Sequence, residues 1–123
     1  MEGKVLLALI VLCLVAACGK GSGDPAAAVE RYLHAKVAGD DGTVRRLLCR
    51  EMENDFEREV RSFEGVSQAR LEGAACEIEG DGSIVRCHGK IVAAYGGEQS
   101  EFPLTAYRVT WEEGEWKWCG EAP

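Results

Sequence analysis

The chain has 123 residues, 46% of them hydrophobic, and a net charge of −7. That is enough apolar content for one core and a length suited to one domain. The acidic balance excludes nucleic-acid binding, whose phosphate contacts need a Lys/Arg surplus, and broad adhesion to anionic head groups; what remains for the charge is solubility.

The chain opens with a short apolar run, Val5 to Ala17, ending in Val15-Ala16-Ala17-Cys18. As a helix this run rises about 20 Å, short of a hydrocarbon core of roughly 30 Å, so a permanent membrane span is not expected. An apolar stretch of this length before small residues has the form of a secretory signal, although Glu2 cancels the single charge of Lys4 in the leading segment. Val15-Ala16-Ala17-Cys18 resembles the lipobox of a bacterial lipoprotein. The resemblance implies that residues 1–17 are a signal peptide and that Cys18 becomes a lipidated N-terminus. A lipoprotein's diacylglyceryl group supplies two chains, the number needed for stable anchoring. Loss of residues 1–17 removes one Lys and one Glu and leaves the net charge at −7. Residues 18–24 form a Gly-rich tether; Gly19-Lys20-Gly21-Ser22-Gly23 has no preceding strand and is not a phosphate loop. The globular domain then covers residues 25–123.

Asp24-Pro25 supplies an N-cap and a proline at the first helical position. Val29, Leu33 and Val37 follow at spacings of four, flanked by Ala26, Tyr32 and Lys36, and Gly39 ends the helix. Asp40 or Asp41 caps a second helical stretch with Val44, Leu47, Leu48 and Cys49 on its apolar side. Met52, Phe56, Val60 and Phe63 continue the stripe, as one long helix or as two with a kink near Arg50. Glu53, Asp55, Glu57, Arg58 and Arg61 form the solvated side.

After Gly65 the period changes to two. Gln68–Glu79, Ile84–Tyr95, Gln99–Trp111 and Glu115–Cys119 read as four strands joined at Asp81-Gly82, Gly96-Gly97 and Glu113-Gly114. The first turn sets Cys76 opposite Cys87, Ile78 opposite Val85, Glu77 opposite Arg86, and Gly73 opposite Lys90. Apolar residues then meet apolar ones and opposite charges meet. The second turn sets Ile91 opposite Phe102, and the third sets Trp111 opposite Trp116 and Val109 opposite Trp118. The apolar parity switches from even (Phe102, Leu104, Ala106) to odd (Tyr107, Val109, Trp111). A β-bulge or sharp bend near Ala106–Arg108 is the expectation, the alternative being a strand covered on both faces.

There are six cysteines. Cys13 leaves with the signal and Cys18 takes the lipid. Four remain, and an even number in a small exported domain reads as disulfides. Four cysteines allow three pairings; the hairpin register selects Cys76–Cys87, and elimination leaves Cys49–Cys119. No C-x₂-C spacing points to zinc, so no metal is expected.

Helices followed by an antiparallel meander give an α+β layer architecture. With Ala28-Val29-Glu30-Arg31-Tyr32-Leu33, the Ala38-Gly39-Asp40 break and the closing Gly114-Glu115-Trp116-Lys117-Trp118-Cys119, the chain resembles the NTF2-like (cystatin-like) superfamily. Within it the chain is similar to small lipoproteins of the DUF4878 type, over about residues 25–120. The resemblance implies two to three N-terminal helices packed on a bent four-stranded sheet around a conical pocket. It also supports the Cys49–Cys119 bridge, and it carries over no catalytic residue.

Tyr32, Phe56, Phe102, Trp111, Trp116 and Trp118 are the candidate pocket-lining residues. His34 lies beside the first helix's stripe and His88 on the polar side of its strand. Neither joins a Ser–His–Asp or paired-carboxylate set at any readable spacing. No catalytic residue and no cofactor is expected. The preferred reading is a membrane-anchored, extracytoplasmic, non-catalytic module of the cell envelope. It would bind an envelope protein or a small apolar ligand, or pair with a second copy through its sheet. The alternatives are an enzyme of dehydratase or isomerase type and a structural lipoprotein without ligand.

Overall fold

A computed structural model describes residues 23–123. The expected signal peptide, Cys18 and most of the expected tether lie outside the described residues. Asp24 caps α1 (Pro25–Ala38): its Oδ1 accepts the amides of Ala26 at 2.9 Å and Ala27 at 3.4 Å. Gly39 closes it in the left-handed region, φ 69°, where a side chain would be strained. The predicted stripe is the buried face, with Val29 and Tyr32 fully enclosed.

The second helical stretch breaks where the kink was expected. α2 (Asp41–Leu47) ends, and Leu48 and Cys49 run extended. A 3-10 helix (Arg50–Asp55) and α3 (Phe56–Val60) follow. Pairing with the last strand causes the break. Leu48 bridges Trp118, the Cys49 amide donates to the Trp118 carbonyl at 2.9 Å, and Cys49 is bonded to Cys119.

The strands are β1 (Ser67–Glu79), β2 (Ile84–Tyr95), β3 (Glu98–Pro103), β4 (Ala106–Glu112) and β5 (Glu115–Glu121), all antiparallel. The order β1-β2-β4-β5 carries β3 as a second partner of β2. The stretch read from sequence as one strand, Gln99–Trp111, is thus two. Pro103 has no amide to donate and ends β3. Leu104 and Thr105 then turn the corner, with the Leu104 amide on the Gly89 carbonyl and the Cys87 amide on the Thr105 carbonyl, both at 2.9 Å. One strand, β2, therefore pairs with β3 along Lys90–Tyr95 and with β4 along Ile84–Arg86. This bends the sheet. The expected irregularity near Ala106–Arg108 is the register shift between Tyr107 and Val109 in the β4–β5 pair.

The hairpin registers match the sequence reading at Cys76–Cys87, Ile78–Val85, Glu77–Arg86, Ile91–Phe102, Trp111–Trp116 and Val109–Trp118. One pairing differs. Lys90 faces Glu72 rather than Gly73, because a bulge between Glu72 and Ala75 inserts a residue into β1. Two glycines meet there: a Cβ on Gly89 would stand 2.5 Å from the Gly73 carbonyl oxygen.

The core lies between α1, α2 and the concave side of the sheet. Glu30 of α1 reaches over the sheet edge and accepts the Cys76 amide at 3.0 Å. One exposed edge donor of β1 is covered in this way.

Candidate functional site

Beyond Trp118 the helical layer thins and the core opens into a cleft of about 400 Å³. Its apolar wall includes Leu33 from α1, Phe63 from the turns after α3, Ile91 from β2, Phe102 from β3, and Tyr107 and Trp118 from β4 and β5. Phe102 meets Phe63 edge-on at 6.0 Å and Tyr95 at 6.4 Å. Both Phe102 and Tyr95 are about two-fifths exposed, which makes the mouth of the cleft aromatic.

One carboxylate is buried in this wall. Glu59 of α3 is 6% exposed. Its Oε1 accepts the Tyr32 hydroxyl at 2.5 Å and stands 3.0 Å from Lys36 Nζ. Both partners come from one face of α1, at i and i+4, so a single rigid helix fixes the carboxylate. No hydrogen bond from the described residues reaches Oε2. Lys36 also lies over the Trp118 ring, 5.7 Å from its centroid. Tyr32 stacks on that same ring at 4.2 Å and 9°. Trp118 Nε1 is a buried donor without a partner.

The surroundings of Tyr32 fix its protonation. Burial, then the hydrogen bond to Glu59 and its negative charge, push the Tyr32 phenol far above its ordinary value of 10.0. Tyr32 is therefore a permanent donor. Lys36 balances the Glu59 charge, as a buried carboxylate requires. The cluster is an oriented, charge-balanced acceptor: it can take a hydrogen bond or a cation at Oε2, while Tyr32 keeps its proton at neutral pH.

The sequence candidates separate on this geometry. Phe102 and Trp118 line the cleft. Tyr32 is fully buried and does not line the cleft; its hydroxyl donates to Glu59, which does. Phe56 is buried under the Arg45 guanidinium, 3.9 Å from its ring centroid, and faces two other cavities. Trp111 and Trp116 form an edge-on pair at 5.4 Å on the β4–β5 hairpin, outside the cleft lining. His34 and His88 are both exposed. Among the described residues no three His, Cys, Asp or Glu side chains converge as metal ligands would.

A larger cavity of about 660 Å³ lies between the end of α1, α3 and the start of β1. Its lining mixes apolar side chains with exposed charged ones, and Arg61 and Glu57 close on each other there at 3.2 Å. It holds no buried carboxylate, which makes the smaller cleft the better candidate.

Sequence reasoning missed Glu59. Met52, Phe56, Glu59 and Phe63 stand at i, i+4, i+7 and i+11, so Glu59 occupies a core position of the apolar stripe. That spacing was the available signal. The five charges assigned to the solvated side do lie there, with Asp55 the least exposed.

No protein-family model matches the chain, and no curated protein matches it. Among solved structures it is similar to a protein from Rhodospirillum rubrum described as an NTF2-like protein of unknown function in nutrient uptake. The TM-score is 0.51 and the identity 21%, over 80% of this chain and 95% of that one. At that identity the likeness speaks for the fold alone; with the order of helices and antiparallel strands, it shows an NTF2-like α+β fold.

Proposed function

We propose that this chain is a lipid-anchored extracytoplasmic module of the DUF4878 type that binds a small, largely apolar ligand without transforming it, in the cleft between α3 and the sheet. The observation that carries the reading is Glu59. Its Oε1 is held by Tyr32 and Lys36, its Oε2 is free to accept from a ligand, and the surrounding wall is aromatic and aliphatic. A volume of about 400 Å³ falls within the range of small-molecule sites. Two features support binding without chemistry: the Tyr32 phenol keeps its proton far above the neutral range, and both histidines lie exposed, away from the cleft lining. Two disulfides accord with an oxidising extracytoplasmic compartment. Among the described residues no helix is long and apolar enough to cross a membrane. Anchoring then rests on Cys18 and the lipobox resemblance of Val15-Ala16-Ala17-Cys18.

One preparation tests both halves. The protein is extracted from its own membrane fraction and examined by native and denaturing mass spectrometry. The expected result is a chain beginning at an acylated Cys18, with a small molecule bound in the native spectrum. That molecule is lost in Glu59→Leu and in Phe102→Arg, the latter at an exposed position at the mouth. A retained Met1 and no acyl mass overturn the anchor. A native spectrum without bound mass, or with the same bound mass in both variants, overturns the cleft.

A further inference from the structure

The end of the domain opposite the cleft carries exposed apolar residues that the binding site does not use. Trp111 is 50% exposed and Ile78 is 49% exposed. Trp116, half-buried against the core, stands edge-on to Trp111. The register puts all three on the face that carries α1. Trp111 and Trp116 share a face with Val109 and Trp118, and Ile78 shares one with Val85 and Cys87.

The direction of α1 shows which end this is. Glu30 stands beside Cys76, whereas Val37 and Ala38 stand near Gln68 and Ala69 across one cavity. α1 therefore runs antiparallel to β1, and its first turn lies toward Ile78. The turn after β1 lies at that end, and so does the β4–β5 turn, because the Val109 amide donates to the Ser83 carbonyl at 3.0 Å. The chain thus enters the domain, at Asp24, on the end that bears Trp111, Trp116 and Ile78. Five residues separate Cys18 from Asp24, and the six Cα–Cα steps between them reach at most about 20 Å. If Cys18 is acylated, this end cannot stand farther than that from the head groups.

The geometry points to a bilayer-facing surface: Trp111, Trp116 and Ile78 rest in the head-group region of the membrane that holds Cys18. This inference rests on the anchor reading given above. An indole has an apolar body and a polar N–H, the combination that favours the membrane interface. The hairpin's carboxylates are matched locally. Glu112 accepts the Arg50 amide at 2.9 Å, Glu113 stands 3.5 Å from Arg50 and 3.6 Å from Lys117, and Glu115 stands 3.4 Å from Lys117 and 3.7 Å from Arg46. A hairpin so paired fits zwitterionic lipid, and among the described residues this end has no basic cluster to demand an anionic one. Docked in this way, the cleft mouth at Tyr95 and Phe102 faces away from the membrane.

The test reconstitutes the acylated full chain into phosphatidylcholine vesicles with and without bromine on the acyl chains and compares tryptophan emission. Buried Trp118 serves as the internal reference. Bromine is expected to quench the wild-type emission, and Trp111→Ala is expected to lose most of that quenching while remaining in the membrane fraction. Equal emission from the two vesicle types, with acylation of Cys18 verified by mass, overturns the inference and leaves the anchor standing. Absence of the acyl group overturns the anchor itself. A detergent-solubilised dimer that becomes monomeric in Trp111→Ala assigns the patch to a second copy and overturns the lipid contact.

Discussion

The space between helices and sheet has a closed half and an open half, separated by the stacked rings of Tyr32 and Trp118. In the closed half Val29, Val44, Leu47 and Val85 have no exposed surface. Its cover is a fourteen-residue helix and α2, joined to the sheet by Cys49–Cys119. In the open half the cover is the five-residue α3 and the turns after it, and the wall across from it includes half-exposed Phe102. A helix this short has little intrinsic stability and depends on tertiary contacts. Here one of those contacts is polar, from Glu59 to Tyr32 and Lys36. Where the cover is long and cross-linked the interior fills with side chains; where it is short, a cleft remains and a carboxylate anchors its lid.

The largest expected effect comes from uncoupling the closed half. Cys49–Cys119 closes a loop of 70 residues and Cys76–Cys87 one of 11. On the loop-entropy account, replacing the first pair by alanine costs about 4 kcal/mol and the second about 3. Denaturant unfolding without reductant measures both. A larger loss from the short hairpin bridge would mean that the long one does not clamp the closed half.

Next in size is the wall of the open half. Gly89 has φ +102°, and a Cβ there would meet the Gly73 backbone at 2.5 Å. Gly89→Ala is expected to lose about 3 kcal/mol through strain and clash. Gly73→Ala, at φ +64° with open space around it, is expected to lose about 1 kcal/mol. Equal losses, read from the same unfolding curves, would mean that the bulge can shift to make room.

The closed half was the more legible in the sequence. Turn residues at Asp81-Gly82 and Glu113-Gly114 fix register locally, and each register could be checked against cysteine, tryptophan and charge pairs. The open half depends on features without a local signature. The bulge at Gly73 and Ala74 exists because Gly89 approaches from the neighbouring strand, and nothing near Gly73 in the sequence announces that approach. The corner at Leu104-Thr105 showed only as a change of parity, which told that a break occurs within a few residues but not that two strands result. Glu59 stands between charged neighbours in Glu57-Arg58-Glu59-Val60, and a charge in such a run reads as solvated. Its partners are 27 and 23 positions away, so only the tertiary packing of α3 on α1 identifies it.

The boundary between the halves gives a smaller effect than either disulfide or Gly89→Ala, and the one with a distinct pH signature. Tyr32→Phe removes a hydrogen bond to a charged acceptor and is expected to lose about 2 kcal/mol at pH 8. The phenol's native value lies above its unfolded value of 10.0, so its contribution is complete below pH 10. It is lost as the pH rises from there toward the native value, because only the unfolded chain can then release the proton. The stability difference between wild type and Tyr32→Phe is therefore expected to be constant from pH 7 to about 9.5. Above pH 10 it should shrink and then reverse sign, with a limiting slope of about 1.4 kcal/mol per pH unit. Using the difference removes the titration of lysines common to both chains. Unfolding curves at pH 8, 9.5, 10.5 and 11 supply it. A difference independent of pH across that range would mean that the Tyr32 phenol ionises as freely in the folded chain as in the unfolded one. Glu59 would then not be held as an oriented acceptor at the floor of the cleft.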